Sequence, residues 1–500
     1  MITGTQSGPA AFLMPRTPPS RDEQDLGHFG YAQELFRSMG GFSNFAISFS
    51  IISILTGAVT LYGYGLKMGG PLEMSLGWPI ATIFTLLLAA SMAELCSAYP
   101  TSGAMYHWAA ALGGRASGWF VASLNIVGLI AALAGINFSA AQFVLPFLGI
   151  SPSSKHVFLM FAFTLVVHGL INHFGVRLVA LLNNTSVVIH LVGVFAIAGI
   201  LFWFAPHRPI SFLASGSGAS GRPYAWAFLL GLLQAHWTYT GFDGSAHMAE
   251  ETHDPRRVAP WGMVIAVGVS GVVGYILLVA ITLAIRSVPD VLAAHDAQGN
   301  AVPAAIAILQ TGLGYRFGNA LAGIASMAMW FCGLSCVTSA SRAIYSLARD
   351  HGTPFPAIMQ QVSAKHGTPV AAIWATVIAS LVAMAWTGAV PIVTSLSTVA
   401  LYLAYIIPVA LGLRARLRGS NWPTLAKWSL GRWGAALNSI ALVYILFICF
   451  VLMMPPNQLA AITLGGVLAA LAVIYVLEVR RKYVTPGWVS AVGARDRATR

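Results

Sequence analysis

Asp243 and His247 stand four residues apart in the stretch Trp237-Thr238-Tyr239-Thr240-Gly241-Phe242-Asp243-Gly244-Ser245-Ala246-His247. On a helix that spacing puts them on one face, one turn apart. A carboxylate and an imidazole so placed can share a proton, and the carboxylate can also serve as a pole for a cationic ligand. A structural reading stands beside each: an Asp that pins a helix break to its neighbour, and a packing histidine. Just beyond, Glu250-Glu251 and Arg256-Arg257 flank Asp254-Pro255. Acids and bases that close at a helix terminus suit an ion-pair gate or a loop brace, with a solvated loop as the alternative. His190 follows Asn183-Asn184-Thr185-Ser186-Val187-Val188-Ile189. Near neutral pH it could toggle charge and couple protons to a conformational change, or simply pack. His168 and His173 read as packing residues.

These residues are embedded in a chain that is 57% hydrophobic and 8% charged over 500 residues. That excludes an ordinary soluble protein. Apolar runs of about 20 residues read as membrane-crossing helices, so the fold class is an all-α membrane protein. The formal charge of +12 punctuates the apolar runs and forms no basic face, which argues against nucleic acid. Cys96, Cys332, Cys336 and Cys449 all fall inside apolar segments, as small buried hydrophobes do, and indicate neither a disulfide framework nor a metal site.

Twelve transmembrane helices are expected, at roughly 40–66, 77–99, 118–147, 156–174, 180–204, 225–249, 260–285, 317–347, 370–387, 390–413, 434–454 and 458–478. A cytoplasmic N-terminus puts twenty Lys and Arg on inner segments and six (Lys67, Lys155, Arg208, Arg222, Arg286, Arg316) on outer ones, with Arg342 inside a span. That asymmetry places both termini in the cytoplasm. Residues 1–38 lack a signal peptide and read as a tail, with Phe29 to Arg37 a candidate amphipathic surface helix. The outer stretches 205–223 and 287–316 read as connectors.

A helix crossing a bilayer gains nothing from Thr-Gly-Phe-Asp-Gly at its middle, and broken backbone at that depth is tolerated only where protein buries it or a cavity borders it. The sixth span is therefore expected to be discontinuous at a substrate site. The first span carries Ser53-Ile54-Leu55-Thr56-Gly57-Ala58-Val59-Thr60, which alone fits close helix packing equally well. Interrupted helices first and sixth in the chain are what an inverted five-plus-five repeat places at its centre. Thr56, Gly57 and Ala58, with Gly241 to Gly244, should expose N–H groups to a carboxylate and C=O groups to an ammonium. A zwitterionic amino acid has both poles. Trp237, Tyr239 and Phe242 are candidates to close over a ligand or, as a cage, to hold a quaternary ammonium. A diamine would need a second acid at depth, and Glu94, near the inner end of span 2, is the one the spans offer. No His-Glu-x-x-His or filter-like motif supports an intramembrane enzyme or a channel.

Four stretches resemble the amino acid–polyamine–organocation superfamily, closest to its amino acid/choline transporter branch, across nearly all of residues 40–478. They are Ala93-Glu94-Leu95…Tyr99-Pro100-Thr101-Ser102-Gly103-Ala104-Met105-Tyr106; Ile171-Asn172-His173-Phe174-Gly175-Val176-Arg177; Gly241-Phe242-Asp243 through Glu250-Glu251…Asp254-Pro255-Arg256-Arg257…Pro260; and Ser341-Arg342-Ala343-Ile344-Tyr345…Ala348-Arg349-Asp350. The resemblance implies a LeuT-like inverted repeat: a tail at 1–38, a first repeat at 39–204, a second at 205–413, peripheral spans at 414–478 and a tail at 479–500. It implies alternating access around a midplane site, with Thr56, Gly57 and Ala58 cradling a substrate carboxylate and Tyr239, Thr240, Gly241 and Asp243 its amine. Many relatives place a lysine fifteen residues after the glycine of the Gly-Val pair; here that position is His190. Where relatives usually have two glycines around a small residue, span 1 has Thr56-Gly57-Ala58, so correspondence there is approximate. The implied function is a secondary permease of the inner membrane for amino acids or related amines such as γ-aminobutyrate. It would be driven by protons through His190 and Asp243, with no other cofactor, acting as a monomer or weak homo-oligomer. Exchange, or choline or polyamine uptake, is the alternative.

Overall fold

The computed structural model describes residues 20–483 except 217, 388 and 389. Arg16, the arginines at 495, 497 and 500, half of the N-terminal tail and most of the C-terminal tail therefore lie outside the described residues. Within them the protein is helical throughout, and ten helices are long and apolar enough to cross a membrane. These include Arg115–Phe147, Ser154–Phe174, Val176–Phe204, Pro255–Leu283 and Tyr315–Arg349. Long apolar helices satisfy their own backbone polar groups, which is why they suit a solvent that offers no hydrogen bonds. Their outward residues, such as Phe163, Val188, Phe195, Val272, Val443 and Ile462, are exposed hydrophobics, as a lipid-facing surface requires.

The first and sixth expected spans differ from the rest. The first is three helices, Gly41–Ile52, Ile54–Thr60 and Tyr62–Gly69. The sixth is Tyr224–Gly231, Leu233–Thr238 and Gly244–His247, ending in the 3-10 turn Ala249–Glu251. Span 1 breaks at Ser53, whose φ of +39° is left-handed, three residues before the Thr56–Ala58 stretch expected to be open. The span 6 break falls at Tyr239–Asp243, with Gly241 at φ +88°.

Three other expectations change. Span 2 begins earlier than residue 77, with a π turn at Glu73–Gly77 two residues before Pro79; proline has no N–H to continue the i→i−4 ladder, and the wide turn absorbs the defect. The connector 287–316 contains the helix Ala304–Leu313, and a buried helix, Met105–Gly113, lies between spans 2 and 3. The helix near the N-terminus is Arg21–His28, started by a Ser20–Glu23 capping box. Residues 29–37, expected as an amphipathic helix, are instead an irregular strap with Phe29 and Leu35 buried.

Candidate functional site

The two breaks meet. A Cβ on Gly57 would lie 2.6 Å from the Cα of Thr238, and one on Gly241 would lie 2.0 Å from Cγ2 of Ile51. Only glycine permits that approach, and at Gly241 only glycine accepts the positive φ easily. Span 1 also sews the span 6 break in place by hydrogen bonds. Ser48 Oγ donates to the Phe242 carbonyl at 2.6 Å and accepts from the Ser245 N–H at 2.8 Å, while Asn44 Nδ2 donates to the Ser245 carbonyl at 2.9 Å. Backbone that leaves a helix within a membrane must find such partners.

Between the breaks is a small cavity of about 10 Å³, roughly the space of one water. Its walls are Thr56 and Gly57 of span 1, Trp237, Thr238, Thr240 and Gly241 of span 6, and apolar side chains that include Leu129, Ile136, Cys332 and Leu401. Of the residues expected at a substrate site, Thr56, Gly57, Trp237, Thr240 and Gly241 are brought together. Ala58, Tyr239, Phe242 and Asp243 do not border the cavity. The Ala58 carbonyl accepts from Gln234 Nε2 at 2.9 Å, the Tyr239 hydroxyl bonds to Thr82 Oγ1 at 2.5 Å, and Phe242 packs on Tyr405. The backbone donors are also taken. The N–H groups of Thr56 and Gly57 both reach the Ser53 carbonyl, at 2.8 and 3.0 Å, and the Gly241 N–H reaches the Tyr405 hydroxyl at 3.1 Å. This is a contracted site whose polar groups are satisfied internally, and a ligand enters only if the walls part.

Asp243 lies behind the cavity wall. Tyr405 donates to its Oδ1 at 2.5 Å, the Asn125 amide lies 3.4 Å from Oδ2, and His247 Nε2 lies 3.1 Å from Oδ2. His247 Nδ1 is 3.0 Å from the Ser102 carbonyl, which can only accept, so Nδ1 carries a hydrogen. Nε2 thus faces the carboxylate at ion-pair distance without forming a hydrogen bond to it.

His190 is fully buried and bonded on both sides. Its Nδ1 lies 2.8 Å from the Ser186 carbonyl and therefore donates; its Nε2, 2.7 Å from Ser53 Oγ, accepts in the neutral form. Ser53 Oγ also contacts Thr56 Oγ1. A three-residue chain thus runs from cavity-lining Thr56 through the left-handed Ser53 to the imidazole. Protonation of Nε2 would reverse the Ser53 hydrogen bond, and the Ser53 hydroxyl could then donate to Thr56 Oγ1 instead.

At the far end of span 6 the acids expected to gate do form ion pairs, with partners from span 8. Arg349 forks onto Glu250 at 3.0 and 3.1 Å, and Arg342 contacts Glu251 at 2.8 and 3.4 Å. Ser102 adds its N–H and hydroxyl to Glu250 Oε1. Burial pushes the Glu250 carboxyl up, but Arg349's charge and the hydrogen bonds from Arg349 and Ser102 outweigh it and hold it at about 2. Arg256 and Arg257, expected in this gate, are not part of it. Asp254, at φ +43°, turns the chain and Pro255 starts a new helix, which carries Arg256 to Asp25 at 3.0 Å and leaves Arg257 exposed. The strap before span 1 seals the same end: Ser38 and Met39 N–H groups bond the Glu251 carbonyl at 3.0 and 2.9 Å, and Arg349 stacks on the Tyr31 ring at 3.6 Å. There His107 bonds the Tyr31 hydroxyl, and burial pushes its imidazole below the usual range.

Sequence reasoning missed Ser53, Asn44, Ser48, Asn125 and Tyr405. A serine or tyrosine in an apolar span gives no local sign of its partner, and the long-range partners of these residues lie 118 to 208 residues away. Arg342 did give one: a cation inside a span needs an anion near it.

Helices broken face to face around an enclosed, partly polar cavity at membrane depth define a membrane carrier for a small molecule. A family model of amino acid permeases matches residues 39–477. The chain is 33% identical to the amino-acid permease BAT1 of Arabidopsis thaliana, over 86% of this chain and 88% of that one, and equally to its homologue in Oryza sativa. It is 25% identical to a GABA-specific permease of Saccharomyces cerevisiae over 92% and 85% of the two chains. The chain belongs to the amino acid permease family of the amino acid–polyamine–organocation superfamily; it is a multi-pass membrane transporter for a small molecule and not an enzyme.

Proposed function

We propose that this protein is a proton-coupled secondary transporter of amino acids or related amines such as γ-aminobutyrate, working by alternating access. The observation that carries the reading is the contact of the two breaks around one contracted cavity, with the Asp243–His247 pair directly behind it. Charge asymmetry supports twelve crossings of the cell (inner) membrane with both termini, and the Glu250–Arg349 end, in the cytoplasm. Spans 1–5 and 6–10 then form inverted repeats centred on the breaks, with spans 11 and 12 peripheral, and a monomer suffices. When the breaks separate, Thr56, Gly57, Thr240 and Gly241 exchange internal hydrogen bonds for the substrate's carboxylate and amine. Tyr405 links Gly241 to Asp243, so a ligand that takes the Gly241 N–H changes what the carboxyl feels. His190 reports on the span 1 break through Ser53.

The cavity argues against the alternatives within the class. Of the three aromatics proposed as a cage for choline, only Trp237 borders it. Glu94, offered as a second acid for a diamine, is bonded to Arg416, to the Ser429 hydroxyl at 2.8 Å and to the Leu430 N–H at 3.1 Å. Exchange without net proton movement is separated by experiment. Proteoliposomes loaded at neutral pH and placed in acid buffer should accumulate a labelled neutral amino acid or γ-aminobutyrate above equilibrium. Asp243→Asn should abolish that accumulation, and His190→Lys should flatten its pH dependence while substrate still binds. Accumulation by Asp243→Asn equal to the wild type at every pH would overturn the proton assignment.

A further inference from the structure

Glu73 is fully buried, neither of its carboxyl oxygens has a hydrogen-bond partner, and no ion pair among the described residues includes it. It sits in the π turn that opens span 2, opposite the Glu250 end. The chain has made room for it. A Cβ on Gly69, Gly77 or Gly231 would lie 2.7, 2.5 or 2.9 Å from a carboxyl oxygen or carbon of Glu73. Those glycines belong to the outer piece of span 1, to span 2 and to the outer piece of span 6. The carboxyl is therefore the wedge at the three-way junction that closes the cavity from outside.

The junction is also covered. Leu72 N–H bonds the Ser215 carbonyl at 3.1 Å, Ser75 Oγ bonds the Leu213 carbonyl at 2.6 Å, and the Tyr224 hydroxyl donates to the Gly69 carbonyl at 2.9 Å. The titratable neighbours within electrostatic reach are Tyr64 on span 1, Tyr224 on span 6 and Tyr444 on span 11. Arg222 acts on Tyr64 from beyond, and Lys67 is exposed. On the Pro255–Leu283 helix Tyr275 points outward, Arg208 lies over Phe212 on the covering segment, and Ile210–Ala214 itself carries no titratable group. No cation among the described residues contacts the carboxyl, and an unpaired buried carboxylate costs several kcal/mol.

We propose that Glu73 is a proton-binding site that links the opening of the outer half-helices to proton release. In the closed arrangement the carboxyl holds its proton; when the outer pieces of spans 1 and 6 part, water reaches it and it ionises, delivering one proton to the outer solution. The reverse step takes one proton up. This rests on the alternating-access reading above but involves a group outside the cavity and the Asp243–His247 pair. Because the open form binds one proton fewer, its population rises with pH above about 4.3, where a hydrated glutamate is ionised, by up to tenfold per pH unit. Acid outside therefore lowers the open population without abolishing it, so uptake driven by an inward proton gradient should pass through a maximum as the outer pH falls.

The test is hydrogen exchange of the full chain in lipid nanodiscs between pH 5 and 8, corrected for intrinsic rates and read on peptides covering Tyr62–Gly69 and Tyr224–Gly231. The wild type should show an opening constant that rises up to tenfold per pH unit, and Glu73→Gln should show none. A flat wild-type profile overturns the proposal whether or not the variant folds. A slope retained in Glu73→Gln, or abolished by Asp243→Asn instead, also overturns it. Slope without solute uptake would remove the transport reading and leave this site; uptake without slope would do the reverse.

Discussion

The two ends of the broken helices close in opposite ways. At the end with the 3-10 turn Ala249–Glu251, two buried carboxylates meet two arginines of span 8, and a strap from the N-terminal side bonds the same turn. At the other end one buried carboxyl packs against glycines of three segments and has no hydrogen-bond partner. Paired charge keeps its form across the physiological range, whereas an unpaired carboxyl changes form when water reaches it. A closure built on ion pairs is broken by motion alone; one built on a protonated acid is also set by pH. At the ion-paired end Arg349 holds the Glu250 carboxyl low while burial pushes the Glu251 carboxyl up despite Arg342; the Glu73 end is the one proposed to read proton concentration, with the cavity between.

The largest effect should come from unpairing the charged end. Arg342→Ala leaves Glu251 buried without its cation, a loss of about 3–5 kcal/mol, seen as a large fall in the thermal unfolding midpoint in detergent. Replacing both residues by apolar ones of similar volume should recover most of it, and no fall in the single variant would show that the pair carries no closure energy. Next is acid. The Glu250 carboxyl, held at about 2 against an ordinary 4.5, contributes on the order of 3 kcal/mol. Its folded value is depressed, so that contribution is complete above about pH 4.5 and is lost as pH falls toward 2. Exchange protection of the Ala249–Glu251 turn should therefore be flat from pH 5 to 8, where protection at the Glu73 end changes. A parallel slope at both ends would erase the contrast.

Much of this plan was legible in the sequence, for reasons that also explain what was not. The span 6 break announced itself because Gly241, Asp243 and Gly244 all work against a membrane helix. Ser53 did not, since a serine that adopts a left-handed conformation reads the same as one that packs. The gate's acids were visible as Glu250-Glu251, but nearness in sequence suggested Arg256 and Arg257, and the Asp254 turn takes those away. Arg342 and Arg349, nearly a hundred residues on, are the partners. Glu73 precedes the start of span 2 expected at residue 77, and nothing in the sequence singles it out. Only the glycines packed around it, from three separate segments, reveal a buried acid. The apolar cavity walls from spans 3, 8 and 10 carry no cue, being hydrophobic residues in hydrophobic helices.

The central claim is that substrate passes between the two breaks, and counter-flow in proteoliposomes tests it most directly. Vesicles preloaded with unlabelled amino acid should take up labelled substrate in a transient, saturable overshoot. Gly57→Ala should lose it, because the added Cβ meets the Thr238 backbone at 2.6 Å, while Gly268→Ala, whose nearest neighbour would be 3.9 Å away, should keep it. Flux that neither saturates nor exchanges, or a Gly57→Ala protein that exchanges like the wild type, would contradict the account.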